Sequence, residues 1–133
     1  MNAVFADAFY FVARLNRHDQ HHERALAFSR DFRAQLLTTD WVLMEVADAL
    51  AESESRARIR EFVVHRRQSS ACEVVAPSRE ILDCALDLYH QHADKEWTLT
   101  DCTSFVVMRE HEITKALTAD HHFEQAGFVP LLK

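Results

Sequence analysis

The sequence predicts an α/β protein, a three-layer α/β/α arrangement around a short and mostly parallel sheet. Three observations predict it. Short apolar runs alternate along the chain with longer stretches of 3.6-residue period, the pattern of strands joined by crossover helices. The 133 residues suit one domain, 1–133, with no repeat, low-complexity tract or Pro/Gly/Ser linker to divide them. Apolar residues make up 48 %, enough for a core, while glycine occurs once where average usage of ~7 % would give about nine.

The elements follow in order. Residues 4–6 read as a strand and 9–16 as a helix. A second helix spans 20–34, with Ala25, Phe28 and Phe32 on one face. Residues 36–38 suit a strand, 41–53 a strongly periodic helix, and 55–68 an Arg-rich helix. A strand at 73–76 is closed by Pro77. The helix at 78–94 carries Ile81, Leu82, Ala85, Leu88 and Tyr89 at 3-4 spacing. A helix at 102–111, a strand at 115–118, a helical turn at 122–126 and a strand at 128–131 complete the set. Gly127 falls between the last two, where a left-handed cap conformation is commonly needed.

Composition excludes several function classes. With Gly127 alone, neither a dinucleotide fingerprint nor a phosphate-cradling P-loop can be built. The formal charge of −6 argues against a bulk electrostatic grip on nucleic acid, though not against a local basic patch. Cys72, Cys84 and Cys102 are odd in number and form no C-x-x-C pair, so neither a disulfide framework nor a thiolate zinc site is expected. Asp7 interrupts what a signal peptide needs as an apolar run. The longest stretch without a formal charge, 125–132, is far short of the ~20 residues of a membrane span. A soluble, cytoplasmic protein is the expectation.

Four carboxylates stand out. Ligands in open α/β sheets bind beyond the carboxyl ends of the strands. Asp7 and Asp120 fall at that address, and Asp101 opens a helix. Each also suits a helix N-cap, with Thr100 an alternative cap beside Asp101. Glu45 shares a helix face with Val42, Val46 and Ala49, where a carboxylate is costly unless paired, protonated or bound to a cation; the alternative is an edge position reaching water or an Arg. Four such groups in one pocket would repel strongly, which calls for a divalent ion. All-oxygen donors suit Mg²⁺ or Mn²⁺ rather than zinc, and Mg²⁺ on carboxylates is the usual equipment of phosphoryl chemistry.

Five blocks in the same order carry a resemblance over nearly the whole chain. They are Val4-Phe5-Ala6-Asp7; Asp19-Gln20-His21-His22-Glu23-Arg24-Ala25; Thr38-Thr39-Asp40-Trp41-Val42-Leu43-Met44-Glu45; Leu99-Thr100-Asp101-Cys102-Thr103-Ser104-Phe105; and Ala116-Leu117-Thr118-Ala119-Asp120-His121-His122-Phe123 with Ala126-Gly127-Phe128. With these the chain resembles the PIN-domain family, small Mg²⁺-dependent ribonucleases that include the VapC-type toxins of bacterial toxin–antitoxin pairs. The resemblance implies that Asp7, Glu45, Asp101 and Asp120 are the acidic quartet, with Asp7 and Asp101 as direct metal ligands. Glu45 and Asp120 would complete the shell directly or through water, and Thr118 would hydrogen-bond within it. It further implies hydrolysis of an RNA phosphodiester by a metal-activated water, with no covalent intermediate, an antitoxin protein as partner, and a homodimer. Two positions depart from the family pattern: Ala8 stands where Ser or Thr often follows the first Asp, and Glu112 where glycine often precedes the penultimate strand.

Other features admit plainer readings beside functional ones. Arg56, Arg58, Arg60, Arg66 and Arg67 form the best RNA-backbone candidate, or an ordinary solvated face; Arg14, Arg17 and Arg24 follow the strand that bears Asp7 and lie nearer the substrate. His18, His21 and His22 have transition-metal spacing but no fourth ligand nearby, so a tie between helices or a place at the site rim is the simpler expectation. His121 and His122 adjoin Asp120 and suit a surface or capping role, with contact to substrate as the alternative. Phe9, Phe11, Val12, Phe28 and Phe32 exceed one apolar stripe and suit a dimer surface, an antitoxin groove or the core. A housekeeping RNA-processing nuclease is the alternative within the enzyme class. Outside it stand a non-catalytic binding module and a receiver-like domain; the latter wants an acidic pair after the first strand and a late lysine, which Ala6-Asp7-Ala8 and Thr118-Ala119-Asp120 do not supply.

Overall fold

The computed structural model describes residues 3–133; Met1 and Asn2, part of the segment read above for a leader, lie outside them. The elements are β1 (Ala3–Ala6), α1 (Ala8–Leu15), α2 (His22–Asp31), β2 (Gln35–Thr39), α3 (Asp40–Ala49), a 3₁₀ turn (Glu54–Arg58), α4 (Ile59–Gln68), β3 (Cys72–Val75), α5 (Arg79–Gln91), α6 (Leu99–Glu110), β4 (Lys115–Leu117), α7 (His121–Gln125) and β5 (Val129–Pro130). The five strands form one sheet in the order β3-β2-β1-β4-β5, and every pair is parallel. Phe5 of β1 stands opposite Leu37 on one side and Ala116 on the other.

Consecutive residues Val4, Phe5 and Ala6 are all buried, as are Leu36 to Thr39 and Ala116 to Thr118. A strand with neighbouring residues buried has both faces covered, which is the three-layer arrangement the sequence predicts. Much of the core is aromatic: Phe105 packs edge-on against Trp97 and Phe123 and lies tilted against Phe128. Trp97 keeps its indole N–H satisfied by donating to Gln125 Oε1 at 2.9 Å. Phe11 belongs to this interior too: it is fully buried between Tyr10 and Phe62, so it is unavailable to any partner surface. Phe9, Val12, Phe28 and Phe32 are only partly buried against the core.

Caps explain where the helices depart from expectation. α6 starts at Leu99, three residues before the expected 102, because Thr98 rather than Thr100 is its cap. The helix expected at 41–53 is the shorter α3, capped by Thr39, whose hydroxyl accepts the Val42 N–H at 3.1 Å. The single helix expected over 55–68 is divided. Ser53 accepts the Ser55 N–H, a 3₁₀ turn follows, and the Ser55 hydroxyl donates to Leu15 O at 2.9 Å, pinning the turn to the end of α1. Ala49 is exposed, so the apolar stripe of α3 runs through Val42, Leu43 and Val46 to Leu50.

Two helix ends share one motif. Past α7, Gly127 has φ +96° while Gly127 N–H donates to Glu124 O and Phe128 N–H to Phe123 O, both at 3.0 Å. Past α6, Glu112 N–H donates to Arg109 O at 3.1 Å and Ile113 N–H to Met108 O at 2.9 Å. These are paired Schellman bonds. The second places a glutamate at φ +55°, in the left-handed region that glycine enters without steric cost.

Candidate metal centre at the strand switch point

The chain moves from β1 out to β2 and β3, then returns to the other side of β1 with β4 and β5. The carboxyl ends of β1 and β4 therefore flank the point where strand order reverses, the usual ligand address of an open α/β sheet. Asp7 leaves β1 there, and Thr118 leaves β4. The Thr118 hydroxyl donates to Asp7 Oδ2 at 2.9 Å and accepts the Asp120 N–H at 3.0 Å, tying the two strand ends together.

Asp7 occupies the N-cap position of α1, yet its side chain makes no cap hydrogen bond. Only 6 % of it is exposed. Burial, opposed by the Thr118 hydrogen bond and reinforced by the charges of Glu45 and Asp101, pushes its carboxyl up from 3.8 to about 7. Glu45, half-buried beside the stripe of α3, is pushed up to about 6 by burial, then by Asp101, Asp120 and Asp48. Burial and Asp120 also raise Asp101, while the Thr98 N–H and His122 act against them. Asp7 is thus within electrostatic reach of Glu45 and Asp101, and these two in turn of each other and of Asp120. Among the described residues no Lys or Arg pairs with any of them.

The helix-cap alternatives divide cleanly. Asp120 is a cap, its Oδ1 accepting the His122 N–H at 2.9 Å. Asp101 is the third residue of α6 in a capping box: its N–H donates to Thr98 Oγ1 and its Oδ2 accepts the Thr98 N–H, each at 3.0 Å. These bonds hold Asp101 by Oδ2. His122 adds to that hold, since its Nδ1 lies 3.0 Å from Asp101 Oδ2 and 3.5 Å from Asp120 Oδ1. The surface or capping role expected for His122 is therefore incomplete; the ring is largely buried and touches two of the four acids. Beside it, His121 Nδ1 lies 3.6 Å from Asp120 Oδ1, and Asp120, His121 and His122 bring ligand atoms within 4.8 Å of one another.

The donors at the switch point suit a hard divalent cation. They are carboxylate oxygens, those of Asp7, Glu45 and Asp101 raised in pKa by burial and then by neighbouring carboxylates, with imidazole at the rim. The neighbouring Cys102 thiol is pushed up to about 11 by burial and by Asp101, which excludes thiolate chemistry there. The histidines at 18, 21 and 22 do not converge: His22 Nδ1 bonds Ala13 O, His21 lies tilted against Phe9, and His18 reaches Glu54.

The arginines are dispersed. Arg14 and Arg17 lie at the end of α1, where Arg17 Nε meets Glu54 Oε1 at 2.9 Å. Arg56 sits in the 3₁₀ turn and donates to Ala51 O, while Arg60 is exposed on α4. The segment read as one basic helix is thus broken between Arg58 and Arg60, and Arg67 on it is taken up by Asp40 at 2.7 Å.

A PIN domain model matches residues 4–129. The chain belongs to the PIN-domain family. PIN domains are nucleases and generally use divalent metal ions, which sets aside the receiver-like reading. The chain is 28 % identical over 127 residues to the 23S rRNA-specific endonuclease VapC20 of Mycobacterium tuberculosis, covering 95 % of each protein. It is similar to the crystal structure of VapC20, described as a Sarcin-Ricin loop cleaving toxin, at TM-score 0.88 and 26 % identity, with 96 % of this chain and 98 % of that one covered. The PIN-like fold also matches FitAcB from Neisseria gonorrhoeae (TM-score 0.65, 14 % identity, 96 % and 94 % covered). A toxin–antitoxin complex from Klebsiella pneumoniae matches at TM-score 0.60 and 15 % identity, with 89 % and 87 % covered. No helix among the described residues is long and apolar enough to cross a membrane.

Proposed function

We propose that this protein is a Mg²⁺- or Mn²⁺-dependent endoribonuclease, the toxin of a toxin–antitoxin pair, acting in the cytoplasm on ribosomal RNA. The observation that carries the chemistry is the set of carboxylates Asp7, Glu45, Asp101 and Asp120, none paired with Lys or Arg among the described residues, at a cost visible in the raised carboxyls of Asp7 and Glu45. The likeness to VapC20 over nearly the full length supports the toxin assignment and the RNA substrate. An antitoxin partner and a homodimer follow from the same family reading.

In this proposal Asp7 and Asp101 hold the ion, and Glu45 and Asp120 complete its shell. When bound, a divalent cation supplies Lewis-acid polarisation of the phosphodiester and a nucleophilic water at neutral pH. The chain's own part is to fix the donors. Thr118 fixes Asp7 Oδ2 by donating to it, and Thr98 and His122 fix Asp101 Oδ2, so each principal ligand is anchored through one oxygen. Glu45, on α3 rather than on a strand end, brings its charge from a different element. No thiol or hydroxyl nucleophile is needed.

The test is cleavage of ribosomal RNA with Mg²⁺ or Mn²⁺ by the wild type, Asp7→Asn and Asp101→Asn. Loss of at least about a hundredfold in both variants is expected, since each removes a charged ligand. Metal-dependent cleavage retained in both would remove the proposed site.

A further inference from the structure

We propose that the cavity between the end of α1 and the 3₁₀ turn is a phosphate subsite that grips the RNA backbone away from the scissile bond, a proposal that rests on the nuclease reading. The cavity, of about 430 Å³, is lined by Arg14, Leu15, Arg17, His22, Glu54 and Arg58. Three guanidiniums thus meet one carboxylate, in a chain whose formal charge is −6. An acidic protein repels RNA at long range, so a local cationic cavity has to supply the grip.

The cations are held in place beforehand. Arg58 Nη2 donates to Leu15 O at 2.6 Å and to Ser55 Oγ at 3.1 Å, which fixes its guanidinium over the end of α1. Arg17 pairs with Glu54 at the exposed surface. His22 is locked through Nδ1 on Ala13 O at 2.7 Å. Arg14 differs. Its guanidinium carbon sits 5.6 Å from the centre of the Tyr10 ring, and its Nε, like that of Arg66, is buried with no hydrogen-bond partner among the described residues. Arg14 lines the cavity, and a guanidinium fork matches phosphate oxygens. Arg56 and the Asp40-bound Arg67 do not line this cavity.

Placement suits a strand that also crosses the acids. Arg14 follows Asp7 by seven residues, two turns and about 10 Å along α1, a span a short oligonucleotide covers. A contact of this type positions RNA without reading its sequence.

The experiment measures binding apart from cleavage: anisotropy of a labelled single-stranded RNA in EDTA, for wild type, Arg14→Gln and Arg14→Lys across a salt series. Arg14→Gln is expected to weaken binding about tenfold, the loss of one charged hydrogen-bonded contact. It should also shallow the log K against log salt slope by about 0.7, as for one phosphate on a single strand. Arg14→Lys should restore the slope. With Mg²⁺ or Mn²⁺, Arg14→Gln should raise KM for a long RNA, hold kcat within about twofold, and leave cleavage of a dinucleotide unchanged, because positioning contacts act through binding. Should Arg14→Gln fail to fold by circular dichroism, Arg17→Gln on the exposed loop reads the same slope. A wild-type slope in the glutamine variants overturns the subsite, as does a drop in dinucleotide cleavage. Weakened binding of an acidic antitoxin peptide with unchanged RNA binding overturns it in favour of a protein contact. RNA binding that responds to Arg14 in a protein that cleaves nothing upholds the subsite and removes the nuclease reading.

Discussion

At Asp7 the fold stabilises the protonated acid. Its pKa rises from 3.8 to about 7, so the folded chain keeps a proton that the unfolded chain releases from about pH 4 upward. The stability this contributes is complete below pH 4 and is lost as pH climbs through about 7; Glu45, raised to about 6, acts in the same direction. Calorimetry of the metal-free protein should therefore show Tm falling between about pH 4 and pH 7. Asp7→Asn keeps an acceptor for the Thr118 hydroxyl and removes the charge, so it should flatten that decline and stabilise the metal-free fold at pH 8 by on the order of 2 kcal/mol, while abolishing cleavage. An unchanged pH dependence in the variant would show that the charge is not what strains the site. The sequence placed Asp7 and Asp120 at strand ends, where each taken singly suited a helix cap better than a site. The structure separates them, because capping shows in a hydrogen bond: Asp120 makes one and Asp7 does not. His122 was harder to read. Its ring meets Asp101 across 21 positions, and no local pattern records such a contact.

At the scale of elements, the two Schellman ends form an internal control. Gly127 and Glu112 do the same job at φ +96° and φ +55°. A non-glycine residue in that region costs roughly 1–2 kcal/mol, so Glu112→Gly should stabilise the protein by about 1 kcal/mol and Gly127→Ala should destabilise it by a similar amount. Urea midpoints measure both; a neutral or destabilising Glu112→Gly would mean that the glutamate side chain earns its place some other way. The glycine cap was legible as a helix end followed by a strand, and Glu112 was legible as the departure from the family pattern. The start of α6 was legible in principle, since Thr98-Leu99-Thr100-Asp101 has the spacing of a capping box. The division of the basic segment was not. The 3₁₀ turn depends on Ser55 and Arg58 meeting the Leu15 carbonyl, 40 and 43 residues back along the chain.

For the whole molecule, one aromatic residue joins the layers to the site. Phe105 lies in α6 four residues past Asp101 and contacts Trp97, Phe123 and Phe128, so Phe105→Ala should cost about 3–5 kcal/mol and weaken metal binding with it. Conversely, Mn²⁺ at a hundred times its Kd should stabilise the wild type by about 2.7 kcal/mol, with little gain in Asp7→Asn; equal thermal shifts in both would place the ion elsewhere. Strand–helix alternation was enough to read a parallel sheet from the sequence. The order β3-β2-β1-β4-β5 was not readable, because nothing local states that β4 returns to the far side of β1. That return has a consequence in time. β1 acquires its second neighbour only when residues 115–117 arrive, and Asp101 and Asp120 are the last two of the four acids to be translated. A ribosome making this chain therefore carries only part of the proposed metal centre for most of synthesis, and its acids are complete only late, as β4 slots in beside β1.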